Sequence, residues 1–348
     1  MPAPAPPSAR TKAILVINQK HGESWTRMQQ MYSADIRHRI ARSFALHPEV
    51  LTSAEIRAGH PAALSAQAFF GTWGFPRLTT QDLKPLENPE MVFFAAGSVK
   101  AFGAPLLEAG IPICTAKLAN ARVVAEVCVA QITLAAKNFF GHALAFNRET
   151  YPPEAAEVLS NFPGLNRSRI ALIGCGVIAR EVIARLGTSQ FDIHVVDPFL
   201  STEEATLLGV TRCSMDEAFQ SCHVVSNHLP NLPELNQVLN KSHFSAMQPH
   251  ATFINTGRGA QVNEPDLIEV FSSRPDLTAL LDVTHPEPPE SGSALYRLPN
   301  VLLTPHIAGC IGDEFSFLVN EVVASSERWL RGVALENLES LEKLNISA

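Results

Sequence analysis

A short apolar run that breaks into two closely spaced glycines constrains this chain more than any other stretch of it. Ile170-Ala171-Leu172-Ile173 has the composition of a buried strand and runs straight into Gly174-Cys175-Gly176-Val177-Ile178-Ala179, a Gly-x-Gly-x-x-Ala pattern; residues 180–186 then continue as a helix. Strand, glycine turn and helix is the context in which this pattern has a mechanism. Gly174 permits the tight turn, Gly176 lets the backbone approach a pyrophosphate, and Ala179 keeps the helix close to the strand. Unpaired N–H groups and the positive end of the helix dipole would then face the anion. By itself the pattern fits a plain strand-to-helix turn equally well. Asp197 tips the reading: it ends the next strand-like run, His194-Val195-Val196-Asp197, near the roughly 20-residue spacing at which a carboxylate accepts both ribose hydroxyls and repels a 2′-phosphate. The expected cofactor is NAD, with NADP less favoured. The bland alternative for Asp197 is a turn with Pro198.

Bulk composition leaves room for such a domain and one more. A chain of 348 residues exceeds the roughly 250–300 residues at which single cores stop growing. Hydrophobic residues at 46% against 18% charged supply ample material to bury, which excludes a disordered, solvating chain. Lys and Arg total 27 against 34 Asp and Glu, a net charge of -7 without a basic run. A nucleic-acid or anionic-membrane binder carries the opposite balance. Residues 1–10 are Pro/Ala-rich without an apolar h-region and read as a disordered tail, so the expected location is the cytoplasm. Residues 127–136, bounded by Glu126 and Lys137, fall far short of the ~20 residues a bilayer span needs and read as a buried helix. The six cysteines show no Cys-x-x-Cys spacing and read as reduced, buried thiols. No His-Glu-x-x-His or similar spacing points to a metal.

Strand-like runs at 13–17, 68–70, 91–94 and 111–113, the last short enough to be an edge, alternate with stretches long enough for helices. Asn120 is placed to cap a long helix reaching about residue 139, on the spacing of Val123, Val127, Ala130 and Leu134. Residues 149–167, broken by Pro152-Pro153 and Pro163-Gly164, read as a surface excursion. Beyond it, runs at 169–173, 193–196, 223–226, 251–255, 277–281 and 301–303 predict six strands of a doubly wound dinucleotide domain. An amphipathic helix is expected over 313–331.

Three late loops each follow a strand of that domain and supply ionisable side chains. They are Arg258 in Asn255-Thr256-Gly257-Arg258-Gly259, Glu287 in Thr284-His285-Pro286-Glu287-Pro288, and His306 in Leu303-Thr304-Pro305-His306-Ile307. In open α/β sheets ligands bind beyond the carboxyl ends of strands, so the three can share one crevice. Together with Gly110-Ile111-Pro112, Asn120-Ala121, Val124-Ala125-Glu126 and His228-Leu229-Pro230, these motifs resemble the D-isomer-specific 2-hydroxyacid dehydrogenases over residues 91–337. The resemblance implies that Arg258, Glu287 and His306 are catalytic. It implies cofactor binding by Gly174, Gly176, Val177, Ile178, Asp197, Leu229, Pro230, Thr256 and Asp282. Gly97, Ser98 and Val99 fall on the family's carboxylate-binding loop, although Ala95-Ala96 and Lys100 depart from its usual residues and leave substrate choice open. Trp73, in Gly71-Thr72-Trp73-Gly74, is either a substrate wall or a packed turn residue. The implied fold is α/β with two doubly wound domains: a Rossmann NAD-binding domain at 118–311, inserted in a discontinuous flavodoxin-like substrate domain at 1–117 and 312–348. A homodimer with the long helix in its interface is implied as well.

The chemistry fits these roles. A planar guanidinium can hold the carboxylate and carbonyl of a 2-oxo acid through paired hydrogen bonds. An imidazole can give the carbonyl oxygen its proton as hydride arrives, and a neighbouring carboxylate can orient that ring. One rival reading keeps the fold and drops the reaction: an NADH-sensing interaction protein like the corepressors related to these enzymes. Formate-type relatives pair His with Gln, so Glu287 counts against them; a phosphite-type reaction rests only on Lys100 near the substrate loop.

Overall fold

The computed structural model describes residues 10–147, 164–187 and 191–346, so most of the expected N-terminal tail and most of the excursion at 149–167 lie outside the described residues. The chain divides into two compact units, residues 1–120 with 310–348, and residues 121–309.

In the first unit, β1 (Lys12–Ile17), β2 (Ala45–Thr52), β3 (Ala68–Gly71), β4 (Met91–Phe94) and β5 (Ile113–Thr115) form a parallel sheet in the order β2-β1-β3-β4-β5. This is the flavodoxin-like order of a doubly wound sheet. Residues 13–17 of β1 are all buried, because helices cover both faces of a parallel sheet and its central strands read as continuous apolar runs. Ile14, Val16, Phe69 and Val92 share one core cluster on one face. On the other, Trp329 of the helix Phe315–Leu330 stacks on Phe44 and meets Phe93 edge-on. Phe44 and Phe93 are fully buried, and each contributes about 1.5–3 kcal/mol. That helix begins two residues after the expected start, behind a 3-10 turn at Gly312–Glu314, and buries Leu318, Val319, Val322 and Val323 at helical spacing. The edge at β5 is covered in turn: Thr115 N–H donates to Asn337 O at 3.0 Å and Glu339 N–H to Ile113 O at 2.9 Å, an antiparallel bridge from the chain's last segment.

In the second unit, β6 (Ser168–Ile173), β7 (Phe191–Val196), β8 (Thr211–Arg212), β9 (Val224–Asn227), β10 (Thr252–Asn255), β11 (Thr278–Leu281) and β12 (Val301–Leu303) pair in parallel in the order β12-β11-β10-β9-β6-β7-β8. The chain order reverses between β6 and β9, which is the Rossmann switch point, so the crevice lies at the carboxyl ends of these two strands. Side chains alternate across the sheet with period two: Ile170 and Leu172 enter one core cluster, Ala171 and Ile173 the other. The helix expected from Asn120 runs instead from Lys117 to Ala135, and Asn120 lies inside it rather than capping it. Its Oδ1 accepts from Cys310 N–H at 3.2 Å. By length and composition this helix is apolar enough to cross a membrane, longer than the stretch singled out in the sequence; Ala125, Cys128 and Ile132 are nevertheless fully buried in the second unit's core.

Candidate active site

The strand β6 delivers its glycine turn at the switch point. Gly174 sits at φ +97°, its N–H donates to Val196 O at 2.8 Å, and a Cβ there would stand 2.8 Å from His228 O. Both the conformation and the close approach demand glycine. Gly176 differs: it caps the helix Val177–Leu186 in extended geometry, without a side-chain cap, and a Cβ on it would meet nothing within 4 Å. Among the described residues none accepts a hydrogen bond from the first-turn N–H groups of Val177 and Ile178 at this helix N-terminus, the arrangement that suits a pyrophosphate. Ala179 is fully buried, so a larger side chain would push the helix off the sheet. Asp197, directly after β7, accepts Cys175 N–H at 2.7 Å and Phe199 N–H at 2.8 Å, which fixes its carboxylate beside the glycine turn. Next to it, Arg180 donates through Nε to Cys175 O at 3.0 Å and pairs with Glu204 at 2.8 Å. These residues fit the adenosine and pyrophosphate of a dinucleotide. His228, whose carbonyl touches Gly174, is held neutral: burial pushes its imidazole down to about 4, and Nε2 bonds Ser226 Oγ at 2.9 Å.

The three late loops of the same unit carry the ionisable side chains. His306 Nδ1–H donates to Glu287 Oε1 at 2.6 Å, with both side chains still accessible at 47% and 42%. That bond fixes the tautomer and leaves Nε2 as the nitrogen able to exchange a proton with a ligand. Arg258 is half-buried; desolvation pushes its guanidinium down from its ordinary value while the nearby Glu287 carboxylate acts in the opposite sense. Nη1 donates to Gly257 O at 2.7 Å.

Asp282, only 3% exposed, holds the histidine loop together. Its carboxylate accepts Thr304 Oγ1 at 2.6 Å, Ile307 N–H at 2.8 Å and Ala308 N–H at 2.9 Å. Its carbonyl also accepts His306 N–H at 2.9 Å. His306 adopts φ +55°, which a non-glycine residue tolerates only where its surroundings fix it, and these bonds supply that constraint. Thr256, also buried, meets Cys128 Sγ at 3.2 Å. Leu229 and Pro230 sit where their carbonyls accept both Nε2–H bonds of Gln261, at 2.9 and 2.7 Å. Gln261 and its partners Asn227 and Asn255 carried no sequence signal as site residues; buried amides become visible only when strands β9 and β10 bring them together. No group of three or more His, Cys, Asp or Glu able to hold a metal occurs among the described residues.

In the first unit, Gly97 is half-buried and Ser98 exposed, while the Val99 side chain is packed in the core. Among the described residues none accepts a hydrogen bond from the N–H groups of Gly97, Ser98 and Val99, which follow the end of β4. Trp73 meets Phe315 edge-on at 5.7 Å, with the Arg27 guanidinium 5.2 Å from its ring centroid.

Residues 130–308 match the profile of the D-isomer specific 2-hydroxyacid dehydrogenase, NAD binding domain. The chain is 28% identical over 239 residues to YoaD of Bacillus subtilis (strain 168), covering 67% of each protein. It is 30% identical over 174 residues to the D-3-phosphoglycerate dehydrogenase of Archaeoglobus fulgidus, covering 49% of this chain and 33% of that one, so it spans only a third of that relative. Among solved structures, D-mandelate dehydrogenase of Rhodotorula graminis superposes with TM-score 0.75 at 18% identity, over 94% of this chain and 97% of that one. At this identity the likeness concerns the fold.

Proposed function

Since the chain belongs to the D-isomer-specific 2-hydroxyacid dehydrogenase family, with an NAD-binding second unit, we propose that it interconverts a small 2-oxo acid and its D-2-hydroxy acid, with His306 as acid and base. The observation that carries the reading is the 2.6 Å bond from His306 Nδ1–H to Glu287, which turns Nε2 outward as the proton donor. NADH, when bound, supplies the hydride that reaches the carbonyl carbon. As the carbonyl oxygen gains charge, His306 Nε2–H delivers a proton to it; in oxidation the neutral imidazole takes that proton back. Glu287 orients the ring and offsets the charge of the imidazolium form. Arg258 binds carboxylate and carbonyl together, because its guanidinium presents paired donors in one plane. We assign carboxylate binding also to the N–H groups of Gly97, Ser98 and Val99, supported by their lack of acceptors among the described residues. Trp73 is assigned to the substrate side-chain pocket, supported by its partial exposure. A homodimer is the proposed assembly, supported by exposed Leu134, Phe139 and Phe146. The six free cysteines agree with a reducing, cytoplasmic location.

NADH oxidation measured with glyoxylate, hydroxypyruvate, pyruvate and longer 2-oxo acids, and NAD reduction with D-3-phosphoglycerate and D-mandelate, tests the reaction and reads its side-chain preference. Turnover of at least one acid is expected. NADH binding without turnover of any would favour a nucleotide-sensing interaction protein of the same fold.

A further inference from the structure

Three buried amides from three chain segments close into one hydrogen-bond cluster beneath the Arg258 loop. Asn227 ends β9, Asn255 ends β10 opposite it in register, and Gln261 ends the 3-10 turn Gly259–Gln261; none is more than 1% exposed. Gln261 uses its full capacity. Nε2–H groups donate to Leu229 O and Pro230 O, and Oε1 accepts from Asn227 Nδ2 at 2.6 Å and from Arg258 N–H at 3.3 Å. Asn227 Nδ2 also donates to Asn255 Oδ1 at 3.0 Å, and Asn227 Oδ1 accepts Leu229 N–H at 3.2 Å. Asn255 Oδ1 accepts Gly257 N–H at 3.1 Å and its Nδ2 donates to Arg258 O at 3.3 Å. Turning any one amide over would set donor against donor, so each orientation fixes the others. A Cβ at Gly257 would stand 3.0 Å from Asn227 Nδ2, so a larger residue there would crowd the cluster.

Arg258 is thus held by its own N–H and C=O, and the Leu229-Pro230 loop is held by the same glutamine. We propose that Gln261, with Asn227 and Asn255, is a positioning residue that ties the substrate-binding arginine to the cofactor-side loop 228–230, so that neither is placed without the other. The arginine half rests on the reaction proposed above; the loop half rests on NAD binding alone.

NADH titration by nucleotide fluorescence, for the wild type, Gln261→Met and Gln261→Glu, decides it. Gln261→Met keeps the volume but leaves two part-buried carbonyls without their donor, and NADH affinity should fall at least about tenfold. In Gln261→Glu a buried carboxyl faces those carbonyls, and only its protonated form can donate to one of them. NADH affinity of this variant should therefore rise between about pH 8 and about pH 6 relative to wild type measured over the same range. Mere loss of packing gives no such slope. With glyoxylate, KM should rise more than kcat falls in both variants. Folded variants that bind NADH within about twofold of wild type, without the pH slope, overturn the proposal. Should Gln261→Met not fold, the slope in Gln261→Glu decides alone. A wild type that binds NADH and turns over no 2-oxo acid removes the proposed reaction, while the NADH comparison still judges the cluster.

Discussion

Asp282→Asn is the perturbation that best separates holding the histidine loop from doing chemistry. The carboxylate accepts three bonds, from Thr304 Oγ1 and the N–H groups of Ile307 and Ala308, in a site almost without solvent. Asparagine keeps one oxygen, so at least one donor is left facing an NH2 group and the remaining bonds lose their charge assistance. A bond to a charged group is worth about 1.5–3 kcal/mol, and a buried donor left without a partner adds its desolvation cost, so the loss should be about 3 kcal/mol. At about 2–4 °C per kcal/mol for a unit of this size, Tm should fall by about 6–12 °C. The loop that holds His306 at φ +55° loosens with it, and a displacement of the acid by about 1 Å costs about 10²-fold in kcat. Calorimetry and steady-state kinetics on the same preparation measure both. Glu287→Gln supplies the contrast: that accessible pair is worth about 0–1 kcal/mol, so Tm should barely move while kcat falls. An Asp282→Asn protein with Tm within about 1 °C and kcat within about twofold of wild type would refute the reasoning.

The two turn glycines should behave oppositely. Gly174→Ala meets His228 O and an adverse φ, so it should lower Tm and abolish NADH binding; Gly176→Ala should leave Tm unchanged and weaken only NADH binding, and equal effects on Tm would contradict the geometry. Asp197→Ser removes the charge that disfavours a 2′-phosphate and should raise the NADPH to NADH ratio of kcat/KM by at least about tenfold; an unchanged ratio would take Asp197 out of cofactor choice. Burial pushes the thiols of Cys114, Cys128, Cys222 and Cys310 up to about 11 and that of Cys213 to about 12. A raised pKa empties the thiolate below it, so native protein near neutral pH should react slowly with a disulfide reagent and faster as pH rises toward those values; an immediately reactive thiol would contradict this.

Elements carried by a strong local pattern were legible in the sequence. The run into Gly174 and the strands β1 and β4 announce themselves because buried parallel strands read as near-continuous apolar runs, and β9 and β10 do so through Val224-Val225 and Phe253-Ile254. β2 escaped because it is an edge: Pro48 sits inside it, only Val50 and Leu51 are buried, and its pairing with β1 shifts register between Ala13 and Leu15. β8, two exposed residues long, has no pattern to detect. The long helix starts at Lys117, and Asn120, inside it, spends its side chain on Cys310 N–H instead of capping it. At the site, Arg258, Glu287 and His306 could be singled out as ionisable residues in loops after strands. The groups that hold them could not: that the Asp282 carboxylate is engaged by the histidine loop shows only in the fold, and Gln261 lies far along the chain from the loop it supports. Strand identity is local, but satisfaction of a buried polar group depends on which strands become neighbours.

The central claim is that His306 moves the proton, and turnover of His306→Gln measured beside its NADH affinity addresses it most directly. With a 2-oxo acid that the wild type reduces, kcat of the variant should fall by about 10²–10⁴-fold while the Kd for NADH stays within about twofold, because the side chain acts on the carbonyl oxygen and not on the nucleotide. Turnover unchanged from wild type would contradict the account.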